Sequence, residues 1–376
     1  MNITTLNPKQ VIRQTAEALV SSKSKIRRVP GVVGFDGFVD NIIHVVDKRT
    51  SATAYEKVPT IKAYAKRLGD AAGKSTNVEF VTVNNKLGGN GPIMANAMVS
   101  FSMPITYIGI LGASADLHPV FREFAKRAKV ISIADPGVTD ALEFDDGKIM
   151  CGKHETLGQV SWANITKKIA LPALTKTFAD AKFIGLVNWT MLPHMTEIWK
   201  SFLKEIAPAM KGERRTVFFD LADPGKRTRE DLKTALGLIG KFEPHFNTVL
   251  GLNLSEAEQT CAVLGLKPTG KKQALSVDMA VKIREKLGIS VVVVHPTDHA
   301  AAASAEEAMH VDGPYTAKPL TTTGAGDNFN AGFCLGYING FKLARSLQCG
   351  VATSGFYVRN AKSPTVDELI KFLQTL

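Results

Sequence analysis

Cysteine is scarce in this chain of 376 residues: it occurs only at Cys151, Cys261, Cys334 and Cys349. None belongs to a C-x-x-C pair, which excludes a zinc knuckle or redox dithiol of that pattern, and so few exclude a disulfide scaffold. Long apolar runs are missing as well. No stretch approaches the roughly 20 apolar residues that span a bilayer. Residues 1–30 are polar and basic, without the apolar core of a secretory leader. No membrane partner is therefore expected, and the cytoplasm is the expected location. Aromatic residues make up 7% and nowhere interleave with basic ones as in an RNA-reading strand. Acidic charge is in deficit: 35 Asp and Glu face 46 Lys and Arg, a formal net charge of +11. That balance favours anionic ligands such as nucleotides and phosphorylated products, and it says nothing of fold. No nucleic-acid partner is expected, the charge being the one feature in its favour.

What is present is alternation. Short runs rich in Val, Ile, Leu and Phe lie at residues 29–34, 105–112, 130–134, 183–187, 216–220, 248–252 and 290–295. Continuous apolar runs of that length suit strands buried on both faces. Helical patterns separate them, as at 116–129, 193–210 and 275–287. Strand–helix alternation predicts an α/β fold with a mostly parallel sheet and helices on both faces. Ligands then gather beyond the carboxyl ends of the strands. Residues 44–87 are charged and irregular, and residues 140–153 read as a hairpin turning at Asp145-Asp146-Gly147. These segments, 44–87 and 139–153, are expected to form a small β-rich lid. Residues 1–43, 88–138 and 154–376 are assigned to the main body. Residues 8–22 form an amphipathic helical pattern followed by Lys23, Lys25, Arg27 and Arg28, to which no role is assigned. GDAAGKST at 69–76 is one residue short of a P-loop and follows a helical pattern rather than a strand, so it is expected to be a plain loop.

The most informative stretch is TTTGAGDNFNAGFCLGYING at 321–340. Small residues at a helix start let backbone N–H groups approach an anion, and the helix dipole favours phosphate there. Asp327 stands at the same helix start. It can take a proton from an attacking hydroxyl while the amides stabilise charge on a transferred phosphoryl group. A plain N-cap Asp is the competing reading.

TTTGAGDNFNAGF resembles the D-T-x-G-A-G-D-x-F-x-A-G-F motif of ribokinase/PfkB-type carbohydrate kinases. The resemblance implies a ribokinase-like three-layer α/β/α sandwich, with Asp327 as catalytic base and Gly324, Ala325 and Gly326 as anion hole. Thr321 replaces the motif's first Asp, which in ribokinase-like members helps hold a monovalent cation, so dependence on such a cation is left open. LGGNGPIMANA at 87–97 resembles the family's G-G-x-x-x-N-x-A motif and implies that Gly88, Gly89 and Asn90 meet the sugar. VGFDGFVDN at 33–41 resembles the first strand, whose Asp grips sugar hydroxyls; Asp40 fits best, with Asp36 as rival. Asn253 and Glu256, in NLSE, resemble the N-x-x-E motif that positions Mg2+ near the phosphates of ATP, without a direct metal ligand being assigned. Ser255 and Glu258 are read as a capping box beside them.

Elsewhere the resemblance thins. The nucleotide-pocket motif V-T-x-G-x-x-G falls on residues 294–300, where Thr297 and Ala300 replace both glycines and ATP stays the expected donor. Pro296 makes a helical pairing of His295 with His299 improbable. FFDLADPGKR at 218–227 only loosely matches D-x-N-x-R, with Lys226 or Arg227 as candidate phosphate contacts. Three functions fit: a sugar kinase acting on a primary hydroxyl, a nucleoside kinase of the same build, and a catalytically silent kinase-fold binding protein. The intact Gly-Ala-Gly turn with Asp327 argues against the third. Which sugar or nucleoside is used, and whether two subunits pair as a homodimer through the lid, the sequence leaves open.

Overall fold

Strands with apolar side chains at successive positions need a packing layer on each face. The computed structural model, which describes residues 2–3, 7–113 and 116–376, supplies both layers. The strands are β1 (Asn2–Ile3), β2 (Gly31–Phe35), β3 (Phe38–Arg49), β4 (Tyr55–Lys57), β5 (Phe80–Gly88), β6 (Ile105–Gly109), β7 (Lys129–Ser132), β8 (Gly137–Phe144), β9 (Gly147–Lys153), β10 (Phe183–Leu186), β11 (Arg215–Asp220), β12 (Phe246–Leu252), β13 (Val291–Val294), β14 (His299–Ala303) and β15 (Glu307–Asp312). The main sheet runs β1-β15-β14-β13-β12-β11-β10-β2-β6-β7. Every neighbouring pair in it is parallel except those made by β14.

Alternate strand residues feed two separate cores. Val32, Ile184, Val217, Phe219 and Val292 pack under the helices Trp162–Lys168, Leu171–Asp180, Arg229–Phe242 and Gln273–Leu287 on one face. Val33, Phe183, Phe218, Val291 and Val293 pack under Pro8–Ile26, Asn90–Ser100, Ala325–Ile338 and Leu343–Asn360 on the other. Each fully buried Val, Leu or Phe contributes about 1.5–3 kcal/mol, so the apolar runs fix both the sheet and its two coats. Among the described residues no helix is long and apolar enough to cross a membrane.

Two helical expectations shorten. Residues 116–129 yield a single 3-10 turn, Pro119–Phe121, and the helix Arg122–Ala125. Phe121 and Phe124 are its buried apolar anchors, too few to extend it. The helix Met195–Ser201 gives way to a π-helical turn, Phe202–Ile206, and a 3-10 turn holding Pro208, which lacks the donor needed to continue.

The second sheet is built on β3, which pairs with β4, β5 and β8, while β9 pairs with β8. Ile43, Val45, Leu142 and Phe144 on one of its faces are covered by Tyr64 of the helix Ile61–Asp70. The sheet takes in residues 38–43, 88 and 137–138, which the sequence assigns to the main body. β3 follows β2 after only Asp36 and Gly37, so the apolar run gives no sign of the change of sheet. Residues 69–76 end a helix and run on as an exposed turn, with no preceding strand.

Candidate active site

The strand order reverses between β2 and β10: β6 and β7 lie on one side, β11 to β13 on the other. An open α/β sheet forms its crevice at such a point, beyond the carboxyl ends of the strands. Asp36 follows β2, Asn188 follows β10, Asp220 ends β11, Asn253 follows β12 and His295 follows β13. The helix Ala325–Ile338 aims its N-terminus at the same end. Gly324 precedes it at φ 85°, a left-handed conformation that suits glycine. The Ala325 amide donates to the Thr322 carbonyl at 3.1 Å and the Asn328 amide to that of Gly324 at 3.0 Å. The amides of Gly326 and Asp327 meet no acceptor among the described residues. Two unpaired donors at the positive end of a helix are suited to an anion.

The turn at 321–326 separates two cavities. One, of about 460 Å3, is lined by Thr322, Ala325, Gly326, Asn253, His295 and Tyr315. The other, of about 140 Å3, is lined by Thr321, Thr323, Asp40, Lys86, Lys148 and Tyr357. Adjacent turn residues thus face opposite spaces, and the turn is the wall between them. The Tyr357 hydroxyl donates to the Thr323 carbonyl at 2.9 Å and ties the turn to the helix Leu343–Asn360.

Asp327 is 8% exposed and accepts a hydrogen bond from Nδ2 of Asn90 at 3.0 Å. Burial, then the charges of Asp220, Asp36 and Glu256, hold its carboxyl well above the ordinary carboxylate value; Asn90 opposes them. Asp220 is pushed up to about 8 by burial and the neighbouring Glu256. It accepts from the Ala222 amide at 2.8 Å and from Nδ2 of Asn330 at 2.7 Å. Oδ1 of Asn330 is buried with no partner among the described residues.

Asp40 reaches the smaller cavity from β3. Its carboxylate lies over Gly88, where a Cβ would stand 2.5 Å from it, so a side chain there would displace it. Burial raises its carboxyl; Thr139, Lys86 and Lys148 act against that. Asp36 does not face this cavity. It is 0% exposed, with Oδ1 accepting from the Gly91 amide at 2.9 Å and Oδ2 from Nδ2 of Asn188 at 2.6 Å. Its bonding is internal, so it is set aside as a sugar contact. Gly89 takes φ 96° just before the helix Asn90–Ser100, between Asp36 and Phe38.

Two expectations change. The capping box of the helix Leu254–Leu264 is made by Asn253 and Glu256 themselves, not by Ser255 and Glu258. Asn253 Oδ1 accepts from the Glu256 amide at 3.0 Å, and Glu256 returns Oε2 to the Asn253 amide at 2.8 Å. Oε1 of Glu256 accepts from the Asp223 amide at 2.8 Å. Arg227 is spent on the carbonyls of Thr190, Trp189 and Leu192, with its guanidinium 4.4 Å from the Trp189 ring centre. Nε and Nη2 are committed to those carbonyls, which leaves Nη1 alone for any anion. Lys226 is exposed and ion-paired to Asp223 at 3.2 Å. His299 is held by Ser276 and Asp298, while His295 stacks on Phe329 at 4.6 Å, its ring kept neutral down to about 4 by burial. Asn188, Tyr107, Asp220 and Asn330 were not singled out by sequence. The Asp of the loose 218–227 match was the one available signal, for Asp220.

A family model described as prokaryotic ketohexokinase matches residues 10–376. A ketohexokinase of Haloferax volcanii is 28% identical over 343 residues, covering 90% of this chain and 89% of that protein. Among solved structures, Arabidopsis thaliana ribokinase complexed with ribose and ATP aligns with a TM-score of 0.63 at 17% identity, over 92% of this chain and 99% of its own. A putative ribokinase II from E. coli in complex with ATP and Mg2+ gives 0.60 at 15% identity, over 93% and 99%. At such identities the solved structures speak for fold alone: the three-layer body with a small additional sheet is the ribokinase architecture.

Proposed function

Because the chain belongs to the prokaryotic ketohexokinase family, a group of sugar kinases, we propose that it moves the γ-phosphoryl group of ATP to a primary hydroxyl of a ketohexose. The observation that carries this reading is the turn at 321–326, with a cavity on each side and Asp327 behind it. Two reactants on opposite sides of one wall, meeting at its edge, is the arrangement that direct phosphoryl transfer requires.

Asp40 would hold sugar hydroxyls from the lid, beside the backbone of Gly88, Gly89 and Asn90. Asp327 would take the proton of the attacking hydroxyl, and the amides of Gly326 and Asp327 would receive charge on the moving phosphoryl oxygens. ATP supplies the phosphoryl group, and Mg2+ neutralises charge on its oxygens. The residues present fit that ion as water-mediated contacts. Among the described residues no three acidic, His or Cys side chains converge to hold a metal by themselves. The outer lone pairs of Asn253 and Glu256 and the unpartnered Oδ1 of Asn330 are oxygen donors of the kind Mg2+ prefers. A monovalent cation fits less well. Thr321 brings no carboxylate, and Tyr357 already occupies the Thr323 carbonyl.

The family favours a sugar over a nucleoside, and Asp40, Lys86, Lys148, Thr321 and Thr323 would offer polar contacts to its hydroxyls beside an apolar wall of Ile42, Leu87, Ile93 and Met150. A screen of ketohexoses, aldohexoses and nucleosides for ADP release with Mg-ATP tests the reading. Turnover is expected with a ketohexose. Asp327→Asn is expected to lower kcat by about 10^2- to 10^4-fold while both substrates still bind. A variant that turns over at the wild-type rate contradicts the role given to Asp327.

A further inference from the structure

Asp36 and Asn188 leave the sheet from β2 and β10, the neighbours at which strand order reverses. They are 0% and 1% exposed. Asn188 sits at φ 62°, a conformation that Asn and Asp tolerate better than other side chains. Its Nδ2 donates to Asp36 Oδ2 at 2.6 Å, and its Oδ1 accepts from the Met191 amide at 3.2 Å. Asp36 Oδ1 accepts from the Gly91 amide at 2.9 Å, while the Tyr107 hydroxyl donates to the Asp36 carbonyl at 2.6 Å. Gly91 is the second residue of the helix Asn90–Ser100. A Cβ there would stand 2.5 Å from Asp36 Oδ1 and 2.5 Å from the Tyr107 hydroxyl. The contact is therefore made to backbone, and it fixes the helix end rather than one side chain. The first residue of that helix, Asn90, donates to Asp327 Oδ1 at 3.0 Å.

We propose that Asp36 and Asn188 are positioning residues for phosphoryl transfer: together they fix the N-terminus of the helix Asn90–Ser100, and through Asn90 the direction of the Asp327 carboxylate. The inference rests on Asp327 being the base. Burying a carboxylate costs free energy unless its oxygens are bonded, and both oxygens of Asp36 are used to join elements that converge on Asp327. A displacement of about 1 Å at a base lowers rate by up to about 10^2-fold.

The test exchanges the two side chains. Asp36→Asn alone sets an amide NH2 against that of Asn188 and breaks the bridge. Asp36→Asn with Asn188→Asp restores every hydrogen bond: the new amide donates to position 188, still accepts from Gly91, and the new carboxylate accepts from Met191. We expect Asp36→Asn to lower kcat by about 10- to 100-fold, with the exchange returning to within about threefold of wild type. In an Asn90→Ala background, Asp36→Asn is expected to cost less than about threefold further, because its effect already passes through Asn90. A full, multiplicative loss there identifies a merely structural role and overturns the proposal. So does wild-type kcat in Asp36→Asn, or an exchange that is impaired or unfolded. Should the single variant not fold, the exchange decides alone. Asp327→Asn, assayed beside them, separates this outcome from that of the base: if it stays active the base assignment fails, whatever the exchange does.

Discussion

Three carboxylates, Asp220, Asp36 and Glu256, raise the pKa of Asp327 behind the turn, and Asn90 is the neutral donor that favours its charged form. Deleting that donor removes the influence that lowers the Asp327 pKa, leaving burial and the charges of Asp220, Asp36 and Glu256. Asn90→Ala is therefore expected to move the acid limb of the kcat–pH profile to higher pH, as the base must lose its proton to work. A limb that stays in place or moves to lower pH contradicts this. In the proposed reading Asp40 serves the other reactant. Asp40→Ala is expected to raise KM for the sugar, lowering kcat/KM by about 10- to 100-fold, the worth of a hydrogen bond to a charged group. KM for ATP should hold steady; an equal rise in both would remove Asp40 from the sugar side.

The proposed anion hole depends on how the helix Ala325–Ile338 begins. At φ 85° a Cβ on Gly324 would also stand 3.1 Å from Ile93 and from the Tyr357 hydroxyl. Gly324→Ala is expected to cost about 1–2 kcal/mol of stability and a larger share of kcat, since the strain falls on the amides proposed to meet phosphate. Denaturant titration beside steady-state kinetics separates the two; unchanged kcat would detach the turn from catalysis. The start of this helix was legible because glycine and the acid after it carry local meaning. The buried strands were legible too, since a strand coated on both faces has to be apolar throughout. The short alanine-rich β14 gave no such signal. Neither did the entry of β3 into the second sheet, nor Asn188, whose role depends on a partner 152 residues away. Asn253 and Glu256 were readable as a pair, but their mutual bonding was assigned to the wrong neighbours, because Ser255 with Glu258 has the same spacing.

Across the whole molecule the buried acids leave a signature in stability. Asp220 keeps its proton to about 8, whereas an unfolded chain releases it near 4. Between those values the folded state holds the extra proton, so stability falls as pH rises. His295 works the other way, but only below the usual histidine value, since its folded ring stays neutral down to about 4. From about pH 6.5 to 8, then, the thermal midpoint of the metal-free protein is expected to fall. Asp220→Asn is expected to flatten that slope, and Mg2+ with nucleotide to raise the midpoint. A midpoint that climbs over the same interval would refute the account of Asp220.

The second sheet joins the body by four passes of the chain, and its pairing register puts them side by side. Gly88 lies opposite Phe38, Phe38 opposite Gly137, and Val138 opposite Lys153. The amide of Gly137 also donates to the carbonyl of Gly37 at 2.8 Å. A flap sewn along one seam can fold about that seam but can neither slide nor spin. Asp40 is two residues from the stitching, so any hinging of the sheet would carry it through a shorter arc than the hairpin tip at Asp145. A sugar held by Asp40, as proposed, would then be gripped close to the axis while the roof above it swung.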